Sequence, residues 1–242
     1  MYGSHAAHGG NNGIGMNRLA SIPFFKDAEV DLARFETRVR WRNFTPGEIL
    51  VDFDDPSRDV FFLAAGDVRV LIRTRSGKEV ILGEMKAGSL FGELAALDGV
   101  KRSANVTALT RGEVCVMSAP VFQEIVFAAP TVAGRVFRLL TSRVRELDAR
   151  LMEQTVLDLR HRLYSELLRL SVPRQGSETE RVVTPPPFHH VLAARIGCRR
   201  EQVTREFTSM DQEGLIERKR GALVIKRPDL LHARVQAALR DE

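Results

Sequence analysis

Histidine is missing from the middle of this 242-residue chain: none of its six lies between His8 and His161. A metal-dependent enzyme on a β-rich core needs histidines and carboxylates gathered around one ion, so that interval excludes cupin-like oxygen chemistry. His189 and His190 are adjacent in a helical stretch and do not share a face. No metal is expected, and the chain is not read as an enzyme. Cysteine is scarcer still, with only Cys115 and Cys198, too few for a disulfide framework or a cysteine-ligated cluster. Both thiols fit a reducing compartment, and Cys115, inside VCVMS, reads as a small buried hydrophobe. No apolar run reaches the ~18 residues of a membrane span, and the first residues lack a signal peptide's apolar segment. The expected location is cytoplasmic, with no membrane partner.

What remains is an ordinary globular composition, 44% hydrophobic and 28% charged, long enough for two domains. A net charge of +5 leans toward an anionic partner. Residues 1–16 are rich in glycine and asparagine and read as a disordered leader. Asp27 to Val39 has helical spacing. Residues 40–119 then change to short apolar or alternating runs, VFFLAA, VRVLIR, VILGEM, NVTAL and VCVMS. Turn signals separate them: TPGE at 45–48, AAGD at 64–67, SGK at 76–78 and KAGS at 86–89. Such spacing implies an antiparallel sandwich or barrel.

Helical patterns follow. Pro120 to Phe127 is a short helix. Thr131 to about Glu153 is a long one, with Val132, Val136, Leu140, Val144, Leu147 and Leu151 at steps of three and four. That stripe is a coiled-coil seam and predicts a homodimer. Gln154 to Leu170 continues the helix, and 171–187 is a polar connection ending in three prolines. Beyond it, Phe188–Ile196, a Gly197-Cys198 turn and Arg199–Glu213 have helix-turn-helix spacing, with Gly214 as the stop. Val203, Phe207 and Met210 face inward. Residues 215–225 read as a two-stranded wing with a basic tip. Arg200, Glu201 and Arg205 form a base-reading set, because arginine pairs with guanine and glutamate accepts from cytosine. Arg199, Gln202, Lys219 and Arg220 suit phosphates. Double-stranded DNA is the expected partner.

A second site lies in GSLFGELAALDGVKRSANVTA at 88–108. Arg102 and Ser103 beside small residues can hold a phosphate, while Glu93 can accept from ribose hydroxyls. A ligand carrying both groups is a nucleotide monophosphate.

F-G-E-L-A followed by R-S-A resembles the phosphate-binding cassette of cyclic-nucleotide-binding domains. In order, the three parts resemble the Crp–Fnr family of bacterial transcription regulators over roughly residues 20–230. G-C-R-R-E-Q-V-T-R at 197–205 is similar to the recognition helix of that family's cyclic-AMP receptor branch, G-C-S-R-E-T-V-G-R. The resemblance implies an α+β fold: an antiparallel β-roll domain over 17–128, a dimerisation helix over 129–157 and a winged helix-turn-helix domain over 158–235. It implies that Gly92, Glu93 and Leu94 open a turn at the cyclic phosphate, with Glu93 on the ribose and Arg102 and Ser103 on phosphate oxygens. It places Arg143 against Glu93, and Val70, Leu82, Gly83 and Met85 beside the nucleotide. It also implies a palindromic operator with TGTGA-like half-sites and RNA polymerase as a further partner. Where the cyclic-AMP receptor pattern has Thr-Ser on the long helix, this chain has Leu147-Asp148. Asp148 accepts only, from adenine N6 or from guanine N1 and N2 together, so the ligand is cyclic AMP or cyclic GMP. The alternative is a family member that binds DNA without ligand or senses another effector.

Overall fold

Strands such as VFFLAA and VCVMS are apolar at successive positions, so both of their faces need cover. The computed structural model, which describes residues 18–74, 77 and 79–240, supplies it. The leader expected over 1–16 lies outside the described residues, as do Ser76 and Lys78 of the SGK turn. Strands β1 (Val39–Phe44), β2 (Ile49–Val51), β3 (Val60–Ala65), β4 (Asp67–Arg73), β5 (Glu79–Lys86) and β6 (Leu90–Phe91) lead to a short helix α1 (Glu93–Asp98). Strands β7 (Asn105–Ala108) and β8 (Gly112–Met117) complete the roll. They form two four-stranded antiparallel sheets, ordered β1-β8-β3-β6 and β2-β7-β4-β5. Phe61, Leu63, Val114 and Val116 point into the core between the sheets. Val60, Phe62, Cys115 and Met117, one residue out of step, point the other way against helices. Burial pushes the Cys115 thiol up to about 12, with Glu36 adding to the effect.

The stretch Asp27–Val39 is not one α-helix. Its helical part is a 3-10 segment, Leu32–Arg38, started by Asp31, whose Oδ1 accepts the Ala33 N–H at 3.0 Å. Asp27 has a left-handed backbone, φ +55, which breaks any earlier helix.

Helices α2 (Ala119–Ala128) and α3 (Pro130–Val156) meet at 112° around the buried Ala129. No single described helix is long and apolar enough to cross a membrane. Val132 and Val136, read from sequence as part of a seam, pack instead into the roll's outer core. Val144, Leu147 and Leu151, with Phe137, are exposed on the chain's surface.

The helix does not run through to Leu170. It stops at Leu157, and α4 (Leu159–Leu170) starts afresh. Asp158 has extended backbone and caps α4, its Oδ1 accepting the His161 N–H at 2.9 Å. Nor is 171–187 only a connection: β9 (Val172–Pro173) and β10 (Arg181–Val183) extend the wing sheet. Helices α5 (His189–Ile196) and α6 (Arg200–Gln212) are followed by β11 (Ile216–Lys219), β12 (Ala222–Ile225) and α7 (Pro228–Leu239). The wing sheet has the order β11-β12-β10-β9. Val203, Phe207 and Met210 are buried in the core of this half, as the spacing requires.

One capping side chain, Asp158, stands at the α3–α4 break beside the buried Leu157. Asp158→Ala should lower stability by about 1 kcal/mol, measured by thermal or urea unfolding. An unchanged midpoint would show that the break is held by packing alone.

Candidate functional site

Strand β6 runs straight into Gly92, whose φ is +83. A Cβ there would stand 2.7 Å from Asp59 O and 2.8 Å from Arg102 Nη1, so no side chain fits. The bare backbone lets Arg102 close in. Its Nη1 donates to Gly92 O at 3.0 Å, Nη2 to Asp59 O at 2.8 Å and Nε to Ser57 Oγ at 3.1 Å. Asp55 shapes that loop by accepting the Ser57 N–H at 2.7 Å. Arg102 is 3% exposed. Burial lowers its pKa, and the nearby carboxylates of Asp59, Asp55 and Glu93 work against that; it remains a cation at neutral pH. These bonds use three of its five N–H groups and leave one on each terminal nitrogen.

Glu93, 1% exposed, lines the same cleft. Its Oε1 accepts from Nη1 of Arg143, whose Nη2 donates to Leu90 O at 2.9 Å. The long helix is thereby tied to the mouth of the roll. Oε2 of Glu93 is buried with no hydrogen-bond partner among the described residues. Burial raises the Glu93 carboxyl above the usual range, opposed by the Arg143 and Arg102 charges. An unmet buried acceptor is costly, and a hydroxyl donor entering the cleft would satisfy it.

Ser103 and Leu94 complete the polar and apolar lips of the cleft, and Val70 and Met85 line its wall. Leu82 and Gly83 do not line it, and neither does Asp148, which is exposed on α3. Val51, Phe91, Ala104 and Val106 also contribute to the wall. Phe91 and Ala104 belong to the F-G-E-L-A and R-S-A motifs, whereas sequence reasoning missed Val51 and Val106, although the alternation in NVTA was the available signal for Val106. The free volume is about 60 Å³, room for a few waters, so a larger guest requires side chains at the mouth to move.

On the other half of the chain, Arg199, Glu201, Gln202 and Arg205 line one hollow at the N-terminal end of α6. Gln202 Oε1 accepts the Arg199 N–H at 3.0 Å, which caps the helix and leaves the Gln202 amide N–H groups to point outward. Arg200, grouped from sequence with Glu201 and Arg205, lies along two neighbouring clefts, one with His189, Arg218 and Lys219 and the other with Arg69, Glu79 and His190. Arg220 stands beside Gly221 at the exposed wing turn.

The halves touch through β4 and β5. Leu71 and Ile81 form a small buried cluster with Val191 of α5. Arg195, its side chain 4% exposed, reaches Glu84 at 3.0 Å and Glu166 at 3.1 Å. Glu84 also pairs with Arg69 at 2.7 Å, and Glu166 with Arg169, which reaches Glu153 of α3 at 2.7 Å. One chain of alternating charges therefore runs from β4 through α5 and α4 to the long helix.

Comparison with known proteins agrees with these features. Residues 41–128 match the cyclic nucleotide-binding domain, and 161–234 match the Crp-like helix-turn-helix domain. The chain is 30% identical over 208 residues to the cyclic AMP receptor protein of Thermus thermophilus, covering 84% of this chain and 90% of that one. It is 26% identical to the cAMP-activated global transcriptional regulator CRP of Salmonella typhimurium over 183 residues, 73% and 84% of the two chains. In fold it is similar to a CooA variant from Carboxydothermus hydrogenoformans, with a TM-score of 0.73, 18% identity and coverage of 91% and 96%. It is also similar to CLP of Xanthomonas campestris, described as responsive to c-di-GMP, with a TM-score of 0.69, 19% identity and coverage of 80% and 97%. A Crp-like reading head implies DNA binding. Sequence and fold together place the chain in the Crp–Fnr family, whose members regulate transcription and are not enzymes.

Proposed function

We propose that this protein is a dimeric transcription regulator whose operator affinity is set by a cyclic nucleotide bound between the β-roll and α3. The observation that carries this reading is the unmet Glu93 Oε2, buried in a cleft that Arg102 and Ser103 also line. A ribose 2′-hydroxyl would donate to the first. Phosphate oxygens would accept from the spare N–H groups of Arg102 and from the Ser103 hydroxyl. Cyclic AMP is the first candidate, because the 30%-identical relative is a cyclic AMP receptor protein, and cyclic GMP the second.

Calorimetry tests the site directly. Ser103 is exposed and its hydroxyl makes no hydrogen bond among the described residues. Ser103→Ala should therefore keep the fold and weaken cyclic AMP binding about tenfold, the worth of one bond to a charged oxygen. Arg102→Ala should remove detectable binding. Unaltered affinity in both variants would refute the assignment.

The exposed stripe Phe137, Val144, Leu147 and Leu151 recurs at heptad spacing, with Leu147 between the other positions, and gives α3 a face for a second copy. Leu151→Glu should convert a dimer to a monomer in sedimentation equilibrium. A wild-type chain that sediments as a monomer at micromolar concentration would rule out the two-fold reader.

Coupling has a structural route. Strands β4 and β5 put Val70 and Met85 into the nucleotide cleft and Leu71 and Ile81 onto α5. A ligand that shifts this hairpin shifts the seat of the DNA-reading half. Allosteric couplings are typically about 5–150-fold. Glu84→Gln should cut the ratio of operator affinities with and without nucleotide at least about threefold, with nucleotide affinity in the absence of DNA little changed. Equal ratios in both proteins would show that the signal bypasses the hairpin.

A further inference from the structure

The DNA-reading half carries a second cationic cleft, of about 470 Å³, between the start of α5, helix α6 and the wing. Arg200, Arg218, Lys219 and two histidines line it, and no carboxylate does. Lys219 meets Glu217 outside it at 3.4 Å. Phe188, 75% exposed, stacks on His190 at its rim. His189 is half-buried, its ring against Phe207 at 4.7 Å.

His189 Nδ1 stands 2.8 Å from Thr204 Oγ1, which is also within bonding distance of Arg200 O at 3.1 Å. A neutral imidazole has one N–H and one bare lone pair, and gaining a proton makes it a cation that donates from both nitrogens.

We propose that this cleft seats a backbone phosphate of bound DNA and that His189 takes up a proton when it does so, which makes operator binding proton-linked. The inference rests on DNA binding by the winged helix-turn-helix. Burial and the cations around His189 favour this behaviour. In the free protein, burial lowers its pKa, and Arg218 from the wing and Arg200 from α6 lower it further. Thr204 and Phe207 of α6 are neutral, and His190 shares its helix. An anion placed among these cations reverses the sign of the field and raises the pKa. Protons are then bound in the window between the lowered free value and the raised bound value. Affinity should climb as pH falls through that window, at most about tenfold per pH unit for each histidine that titrates.

The test uses the full chain with saturating cyclic AMP, a duplex carrying two inverted TGTGA half-sites and a scrambled duplex of equal length. Wild-type protein should bind at least about threefold tighter at pH 6 than at pH 8. Calorimetry in buffers of different ionisation enthalpy should report net proton uptake. His189→Gln should flatten both effects, while His190→Gln keeps them. Nitrogen-15 spectra of the wild-type imidazole should show the His189 pKa rising when DNA is added. This last readout needs no variant to fold. An unchanged His189 pKa on DNA addition, or a pH slope that survives His189→Gln, would overturn the proposal and leave the DNA-reading assignment standing. Failure to bind either duplex at any pH would sink both.

Discussion

Two opposite charges buried in one small cleft without pairing to each other are the constraint around which the roll is arranged. Burial of an ion is expensive unless other groups replace its water. Arg102 finds the carbonyls of Gly92 and Asp59 and the hydroxyl of Ser57, while Glu93 finds Arg143 for one oxygen only. Gly92 is required because a Cβ would strike both the Asp59 carbonyl and the guanidinium. The loop before β3, the end of β6 and the long helix are thereby fixed against each other by a polar set that remains one donor short. In the proposed function that donor is the hydroxyl of a bound nucleotide.

The same economy appears in the β4–β5 hairpin. In β4 alternation puts Val70 on the cleft and Leu71 on α5, and in β5 the bulge at Leu82 puts Met85 and Ile81 on those same two faces, so a single element borders both the candidate ligand and the DNA-reading half. Arg195 adds a charge link where apolar area is small. It sits between Glu84 and Glu166, and removing either leaves a nearly buried cation partly unmatched. Helix α3 has a comparable double role, with Arg143 at the cleft, an apolar stripe outside and Glu153 in the ionic chain to α4.

Much of this was legible in the sequence. FGELA and RSA marked the cleft residues through their resemblance to the phosphate-binding cassette, where arginine and serine suit a phosphate and glutamate a ribose hydroxyl, and the contact between Glu93 and Arg143 followed from the same resemblance. Period-2 runs located the long strands, and the glycine turn at Gly197 located the two reading helices. Less was visible where long-range packing decides. Val132 and Val136 have the spacing of a seam, but the roll lies close enough to claim them. Leu82, Gly83 and Asp148 were expected at the nucleotide and do not line the cleft: Leu82 is the extra residue of a bulge, Gly83 pairs with Val70 but has no side chain to present, and Asp148 is exposed on α3. Arg200 was grouped with Glu201 and Arg205, which line a hollow apart from the two clefts that Arg200 borders. The helical pattern read through Gln154 to Leu170 hid the break at Asp158, although the family resemblance set a domain boundary between 157 and 158 and an aspartate followed by helix formers was a further signal.

The central claim is that Glu93 and Arg102 jointly grip a ring-closed sugar phosphate. Isothermal titration of the purified chain with cyclic AMP, with 5′-AMP and 2′-deoxy cyclic AMP as competitors, tests it most directly. Saturable binding of one cyclic nucleotide per chain, weakened when the 2′-hydroxyl is absent and lost when the ring is open, is the predicted result. Equal binding of all three compounds, or of none, would contradict it.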